Sequence, residues 1–303
     1  MKLSNQEVDE IINNQKLAYR KKVNKDKKTI LSSLVKEIKN FGKKTFWKTY
    51  FNFHYIYLTF FFNIKNNEIY TNKISILIPT RERSVKFDRF IKSILNTTDV
   101  LKRLEILVLV DQDEPEFKEY FELVAKLKTK DVNINLFQSD YSTHAKRNNF
   151  LAKKCKGDVI FPANDDMIFI TKNWDRLIDI EFSKIDRNRP RCLWVDSGNK
   201  YPFLFCHFPI VNRAWYKRLG YIGSELFNFW YLDTWICDLA KRSRLFIFSK
   251  KIKFKEYNAQ ANRDEIDKTY LKNISNNKME KDLQIWEDSK NKRVQESLKL
   301  RKI

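Results

Sequence analysis

Apolar residues are arranged along the chain in two alternating patterns. Short continuous apolar runs occur at Ile74-Ser75-Ile76-Leu77-Ile78, Ile106-Leu107-Val108-Leu109-Val110, Ile134 to Phe137 and Val159-Ile160-Phe161. Runs of this length, without polar alternation, belong to strands covered on both faces. Between them the spacing turns helical. Phe87, Phe90, Ile91, Ile94 and Leu95 recur at i, i+3, i+4, i+7 and i+8, one face of a helix. Glu116 to Lys128 and Ala145 to Lys156 also read as helices, the second stopped by Gly157, while Pro79 closes the first strand. Strand alternating with helix predicts an α/β fold with a parallel sheet and right-handed crossovers.

Past Trp174 the pattern loosens. Leu193 to Val195 and Phe203 to Ile210 read as strands, and Asn212 to Leu219 and Phe229 to Arg242 as helices. Residues 264–303 are charged and helix-prone. At the other end, residues 1–44 read as charged helix, followed by an aromatic-rich run from Phe46 to Ile64. Lys48, Asn52 and His54 interrupt that run, so it is read as an accessory helix packed on the main domain and not as a membrane span. The expected organisation is a basic accessory region over 1–72, an α/β domain over 73–262 and charged helix over 263–303.

Composition narrows the chemistry. The chain has 303 residues and only 5 glycines, with neither G-x-G-x-x-G nor a P-loop. Phosphate binding must then rely on a metal or on Lys and Arg. The net charge of +21 favours an anionic partner, and fifteen basic against six acidic residues fall within 1–73. A peripheral contact with anionic membrane is expected of that front end. The four cysteines, Cys155, Cys192, Cys206 and Cys237, have no zinc spacing. Together with the polar first 30 residues, they are read as the signs of a cytoplasmic protein.

Ligands of open α/β sheets bind at the carboxyl ends of the strands. Pro79-Thr80-Arg81-Glu82-Arg83 follows the first strand, Asp111-Gln112-Asp113 the second and Asn164-Asp165-Asp166 the fourth. Adjacent carboxylates behind a buried strand repel one another and are costly to desolvate. A hard divalent cation, Mn2+ or Mg2+, resolves that repulsion and also holds substrate phosphates. The competing reading is an ordinary polar turn. The histidines, His54, His144 and His207, share no metal spacing; His207 reads as a core residue, and His144 as a residue that could touch phosphate.

Several segments, in order, resemble family 2 and related GT-A glycosyltransferases: Ile76-Leu77-Ile78-Pro79-Thr80-Arg81, Leu107 to Asp111, Ala145-Lys146-Arg147-Asn148-Asn149 and Lys156-Gly157-Asp158. Asn164-Asp165-Asp166-Met167 stands where those enzymes carry D-x-D. Asn173-Trp174-Asp175, Tyr231-Leu232-Asp233-Thr234 and Asp267-Lys268-Thr269-Tyr270 resemble later segments of one branch. The resemblance spans about residues 74–270. It implies a GT-A, Rossmann-like, mostly parallel sheet flanked by helices, with N- and C-terminal helical additions. It implies a hexosyltransferase-like enzyme that moves a sugar from a nucleotide-sugar to a hydroxyl of a glycan or lipid, with inversion. By that resemblance Pro79, Thr80, Arg81, Asp111, Arg147, Asn164 and Asp165 bind the nucleotide-sugar, Asp165 and Asp166 hold the metal, and Asp233 is the base. Asp238 and Glu225 are further acidic candidates near Asp233. Two departures stand out: Asn164 replaces the first acidic residue, and Lys255-Glu256-Tyr257-Asn258 lacks the late histidine of many relatives.

Other functions remain open to the sequence. A nucleotidyltransferase could use a similar sheet, a pseudoenzyme could keep the fold without the metal site, and a basic, aromatic-rich chain could bind nucleic acid without catalysis. The last leaves the acidic strand ends unexplained, so nucleic acid is not the expected partner.

Overall fold

The computed structural model describes residues 71–128, 132–184, 186–198, 206–257, 267 and 278–302. The helices expected before residue 71, including the aromatic run Phe46 to Ile64, lie outside the described residues. Among the described residues no helix is long and apolar enough to cross a membrane.

The first half alternates as the apolar pattern predicts. Strand β1 (Ile74–Pro79) leads to helix α1 (Ser84–Thr97), β2 (Leu104–Asp111) to α2 (Phe117–Lys128), and β3 (Ile134–Ser139) to α3 (His144–Lys154), which delivers the chain to β4 (Val159–Pro162). β1 pairs in parallel with β2 and β4, and β2 with β3. All of β1 is buried, and so is β2 up to its last residue. The buried stripe of α1, Phe87, Phe90, Ile91 and Ile94, packs into the same core as Ile76, Ile78, Ile106 and Val108. Each such side chain stabilises the fold by roughly 1.5–3 kcal/mol through burial.

The second half adds β5 (Met167–Phe169), α4 (Trp174–Ser183), β6 (Cys192–Asp196), β7 (Ile210–Asn212), α5 (Arg213–Leu219), α6 (Leu232–Ser243), β8 (Phe246–Glu256), α7 (Lys278–Asp288) and α8 (Lys290–Arg301). The eight strands form one sheet in the order β3-β2-β1-β4-β7-β6-β8-β5. β7 is antiparallel to both neighbours, and β5 is antiparallel to β8. Residues 203–205 of the expected strand Phe203 to Ile210 lie outside the described residues, and its last residue begins the short β7. The helix expected from Phe229 starts at Leu232, because Tyr231 takes φ +72° and cannot sit inside a helix.

β8 has no counterpart in the expected pattern. Its first half is apolar and its second half alternates Ile252 and Phe254 with lysines, so no single period runs through it. Phe254 stacks on Phe161 at 5.4 Å and lies 4.4 Å from Phe169 and 6.0 Å from Trp174, ring centre to ring centre. That aromatic block ties β8 to β4 and β5. It also fixes the turn between them.

Two buried carboxylates, Glu105 and Asp175, are paired. Glu105 accepts from the Ser75 hydroxyl (2.5 Å) and the Lys156 amide (2.7 Å). Asp175, fully buried, accepts from the Asp99 and Val100 amides and from Arg103, so the segment read as an enzyme-like N-W-D here braces a loop at the base of the sheet. Gly157 has no room for a side chain. A Cβ there would lie 2.7 Å from the Ser75 nitrogen and 2.8 Å from the Lys73 oxygen, both backbone atoms. Gly157→Ala is therefore expected to lower stability by at least about 1–3 kcal/mol, read as a lower urea midpoint at unchanged slope.

Candidate active site

Strand ends β1, β2 and β4 open into one cavity of about 690 Å3. The nine residues singled out from the sequence, Pro79, Thr80, Arg81, Asp111, Arg147, Asn164, Asp165, Asp166 and Asp233, all line it. Glu225 and Asp238 do not. Glu225 bonds Asn149, and Asp238 pairs with Arg242 and Arg293.

The acidic turn follows from the chain path. β4 must leave the sheet and return as β5 within four residues. The Met167 amide closes this turn on the Asn164 carbonyl at 3.3 Å, and the Tyr257 amide of the β8 end holds the Asp166 carbonyl at 2.6 Å. Asn is well suited to the first position of such a turn, which accounts for Asn164 as a turn former.

Asp165 and Asp166 then diverge in role. Asp165 is 3% exposed and both its oxygens are used. The Thr80 hydroxyl donates to Oδ2 at 2.6 Å and Arg83 Nη1 to Oδ1 at 3.0 Å. Arg83 is held on its other side by Asp267, through Nε at 2.8 Å and Nη2 at 3.0 Å, and Lys86 joins that carboxylate at 2.7 Å. Burial works against the Arg83 cation, but Asp165 and Asp267 outweigh it and raise its pKa. Asp166 differs. Its Oδ1 is buried and has no hydrogen-bond partner among the described residues. Burial pushes its carboxyl above the ordinary range, and the neighbouring Asp165 charge adds to this against Arg83.

Asp111 is gripped from two sides, by Arg81 Nη1 and by Arg147 Nη2, each at 2.5 Å. Arg147 reaches over from α3 and also donates Nε to the Tyr141 carbonyl at 2.7 Å. Arg147, expected to face a diphosphate, is thus oriented by Asp111. Between the two loops Glu82 takes φ +51°, a conformation costly for a non-glycine residue, and the Glu114 carboxylate accepts its amide at 3.1 Å. Tyr120 anchors the same corner by bonding Thr80 and the Arg83 amide.

Asp233 sits in the first turn of α6, where its Oδ1 accepts from the Thr234 amide at 2.7 Å. Burial raises its carboxyl pKa, and the nearby His207 opposes that rise. His207 is not the core residue that its apolar surroundings suggested. It lines the cavity, and its Nδ1 lies 2.8 Å from Glu256 Oε1. Burial would lower its pKa, but the bond to Glu256 outweighs burial and raises it. The sequence hid this pair because His207 and Glu256 lie on different elements 49 positions apart. His144 also lines the cavity, but burial, then Arg147, lower its pKa to about 4. It is neutral at pH 7, so it meets an anion only as an uncharged donor.

The remaining wall is aromatic. Phe229, Trp230 and Tyr231 precede α6, and a residue from the far end of the chain fixes them. Asp282 of α7, fully buried, accepts from the amides of Asn228 (2.7 Å), Phe229 (2.9 Å) and Trp230 (2.9 Å) and from Asn228 Nδ2 (2.8 Å). Trp286 stacks on Tyr231 at 5.2 Å, and Arg293 of α8 lies 3.6 Å over Trp286. The sequence gives no hint of this, since α7 is a charged helix far from the α/β pattern.

The structure resembles a mannosyltransferase of Pyrobaculum calidifontis solved with GDP-Man and Mn2+, at a TM-score of 0.55 and 12% identity over 84% of this chain and 81% of that one. The fold is GT-A. S. aureus TarS follows at a TM-score of 0.49 and 14% identity, over 61% of this chain and 36% of that one. GalNAc-T7 with UDP, GalNAc and Mn2+ gives 0.49 and 14%, over 61% and 43%. No protein-family model matches the chain, and no curated protein matches it by sequence. The cavity of this GT-A sheet lies at the carboxyl ends of its parallel strands, as expected for open α/β folds.

Its charge balance tests whether a metal fits. Among the described residues seven carboxylates and only four Lys or Arg line the cavity, in a chain whose net charge is +21. A cation entering with an anionic ligand would offset that excess of carboxylates. Among the described residues no three His, Cys, Asp or Glu side chains converge into a ready-made metal cage. Mg2+ and Mn2+ do not require one. They are commonly held by one or two carboxylates, water and substrate phosphate, and the Asp166 carboxylate, with its Oδ1 unpaired among the described residues, suits such a site.

Proposed function

We propose that the chain is a metal-dependent, inverting glycosyltransferase, akin to family 2, that moves a sugar from a nucleotide-sugar to a hydroxyl of a glycan or lipid. One observation carries this reading: an acidic cavity at the strand ends of a GT-A sheet, with a buried carboxylate oxygen on Asp166 that no group among the described residues satisfies. That the similar mannosyltransferase was solved with a nucleotide-sugar and Mn2+ supports it. The nucleic-acid reading fares worse, because carboxylates outnumber Lys and Arg in the cavity at the strand ends and disfavour a bare phosphate chain there. A nucleotidyltransferase is distinguished by its substrates, a nucleoside triphosphate and a sugar phosphate.

In this mechanism Asp111, oriented by Arg81 and Arg147, accepts a hydrogen bond from the base or ribose. Thr80 and Pro79 border the nucleotide. Asp166, with Asp165 behind it, would hold Mn2+ or Mg2+, whose positive charge supports departure of the nucleoside diphosphate. Arg83 and Thr80 hold Asp165 in register for that duty. Asp233 takes the proton from the acceptor hydroxyl as oxygen attacks the anomeric carbon from the face opposite the leaving diphosphate, which inverts the configuration. Its raised pKa makes it a better base than a solvated carboxylate. Phe229 and Trp230 offer apolar faces for a sugar ring.

Asp233→Asn is expected to lower kcat by roughly 10²–10⁴-fold with the donor KM little changed. Because the base must be ionised, the wild-type rate falls as pH drops through the raised Asp233 pKa, and this acidic limb disappears in the variant. Incubation with nucleotide-sugars and Mn2+, reading nucleoside diphosphate release and product anomer by NMR, tests the proposal. Release coupled to an inverted product supports it. Turnover confined to a nucleoside triphosphate with a sugar phosphate refutes it.

A further inference from the structure

A second cavity of about 520 Å3 opens at the opposite end of the sheet. It lies where β4 begins, at Asp158 and Val159, beside Arg191 before β6 and Asn212 at the end of β7. Its charge is the reverse of the first. Among the described residues five Lys or Arg and two carboxylates line it.

Arg191 is the side chain that needs explaining. It is 7% exposed, its Nε is buried without a hydrogen-bond partner, and it forms no ion pair among the described residues. Burying an unpaired charge is costly. Burial, reinforced by Arg189, lowers its pKa to about 10, still well above neutral, so the guanidinium keeps its charge. The comparison with Arg293 is direct. That arginine is 4% exposed, but it bonds Asp238 at 2.9 Å and lies over Trp286.

The backbone that carries Arg191 is held in place by Asn212. Asn212 Oδ1 accepts the Arg191 amide at 2.9 Å, and Asn212 Nδ2 donates to the Arg189 carbonyl at 2.7 Å. Arg213 lines the same cavity and is pinned, donating Nε to the Gly157 carbonyl at 2.8 Å and Nη2 to the Cys155 carbonyl at 3.1 Å, and likewise has no ion pair among the described residues. Arg187 stands across the cavity, 3.6 Å from Asp158. Two guanidiniums without carboxylate partners among the described residues line one cavity, one buried and the other held by backbone carbonyls, and such a pair suits an anion.

We propose that this cavity binds the phosphate group of a phosphorylated ligand, with Arg191 and Arg213 as its principal donors. The site is separate from the proposed transfer site and does not depend on it. A phosphate supplies the charge that Arg191 lacks, and the volume leaves room for the organic part that carries it. That part belongs either to a soluble phosphorylated molecule or to a phospholipid headgroup.

The test uses the full chain in EDTA, so that no divalent ion draws anions into the acidic first cavity. Pyrophosphate binding is measured by calorimetry and thermal shift, with flotation on phosphatidylglycerol and phosphatidylcholine vesicles in parallel. Arg191→Gln and Arg213→Gln should each weaken phosphate-dependent binding by at least about tenfold, the loss of one charge-assisted hydrogen bond. Arg81→Gln, in the first cavity, should leave it unchanged. Without ligand, Arg191→Gln should melt no lower than wild type, which a purely structural arginine would not allow. Arginine-dependent pyrophosphate binding identifies a soluble phosphate as the source. Arginine-dependent flotation confined to phosphatidylglycerol identifies a headgroup. If neither pyrophosphate nor anionic vesicles distinguish wild type from Arg191→Gln, or if that variant melts lower and binds both equally, the proposal is overturned.

Discussion

Asp166→Asn should cut sugar transfer by at least about 10²-fold while leaving the protein no less stable than wild type. The two effects have one origin. Asp166 presents a buried, unpartnered oxygen beside a second carboxylate, and its raised pKa reflects that cost. Neutralising it relieves repulsion with Asp165. It also removes the anionic oxygen best placed to hold a cation, and even indirect damage to metal sites costs 10–100-fold. Steady-state kinetics over a Mn2+ titration, together with thermal melting, separates the two. Full activity at all Mn2+ concentrations would remove Asp166 from its role. Asp165→Asn should behave differently, because Asp165 pairs with Arg83 and accepts from Thr80. It should lose stability as well as activity.

The second large effect lies far from the acidic turn. Asp282→Ala deletes the acceptor for three backbone amides and the Asn228 side chain, all in the segment that leads into the aromatic wall. An ionised acceptor contributes about 1.5–3 kcal/mol per bond, and each buried amide left unpaired costs about 1–3 kcal/mol. The bonds share one carboxylate and are not additive, so the expected loss is about 3–5 kcal/mol. Urea unfolding measures it, and limited proteolysis should show new cleavage near residues 226–231. Asp282→Asn keeps one acceptor oxygen and should recover part of the loss. In that milder variant the acceptor KM should rise more than the donor KM, since the wall lies on the Asp233 side. Unchanged stability in the alanine variant would show that the loop holds itself.

Much of the α/β half was legible because its signal is local. Ile74 to Ile78 and Ile106 to Val110 are continuous apolar runs, and the α1 stripe has a clean helical period, so burial alone dictates their structure. The strand-end loops could be named for the same reason: once the strands are known, topology brings Thr80, Asp111 and Asp165 to one rim. What stayed hidden depends on pairing between distant segments. Arg83 and Asp267 are 184 positions apart, and nothing local says that a first-loop arginine bridges Asp165 to the end of the chain. The His207–Glu256 pair and the Asp282 brace are equally non-local. β8 was missed because its two halves follow different periods, and only the pairing with β5 and β6 makes it a single strand.

Charge was informative only once it was localised. A chain at +21 invites a polyanion, but the main cavity is acidic and the basic residues gather elsewhere, five of them around the second cavity. Net charge describes the whole surface, whereas binding follows the field in each cleft.

In the proposed mechanism a divalent cation and a nucleoside diphosphate occupy the acidic rim together, each making the site hospitable to the other. Thermal melting with GDP or UDP, with Mn2+, and with both tests this directly. Wild type should show a stabilisation by the pair that exceeds the sum of the separate effects, and Asp166→Asn should lose that excess. Additive or absent stabilisation in wild type, or an equal excess in the variant, would mean that Asp166 holds no cation for the diphosphate.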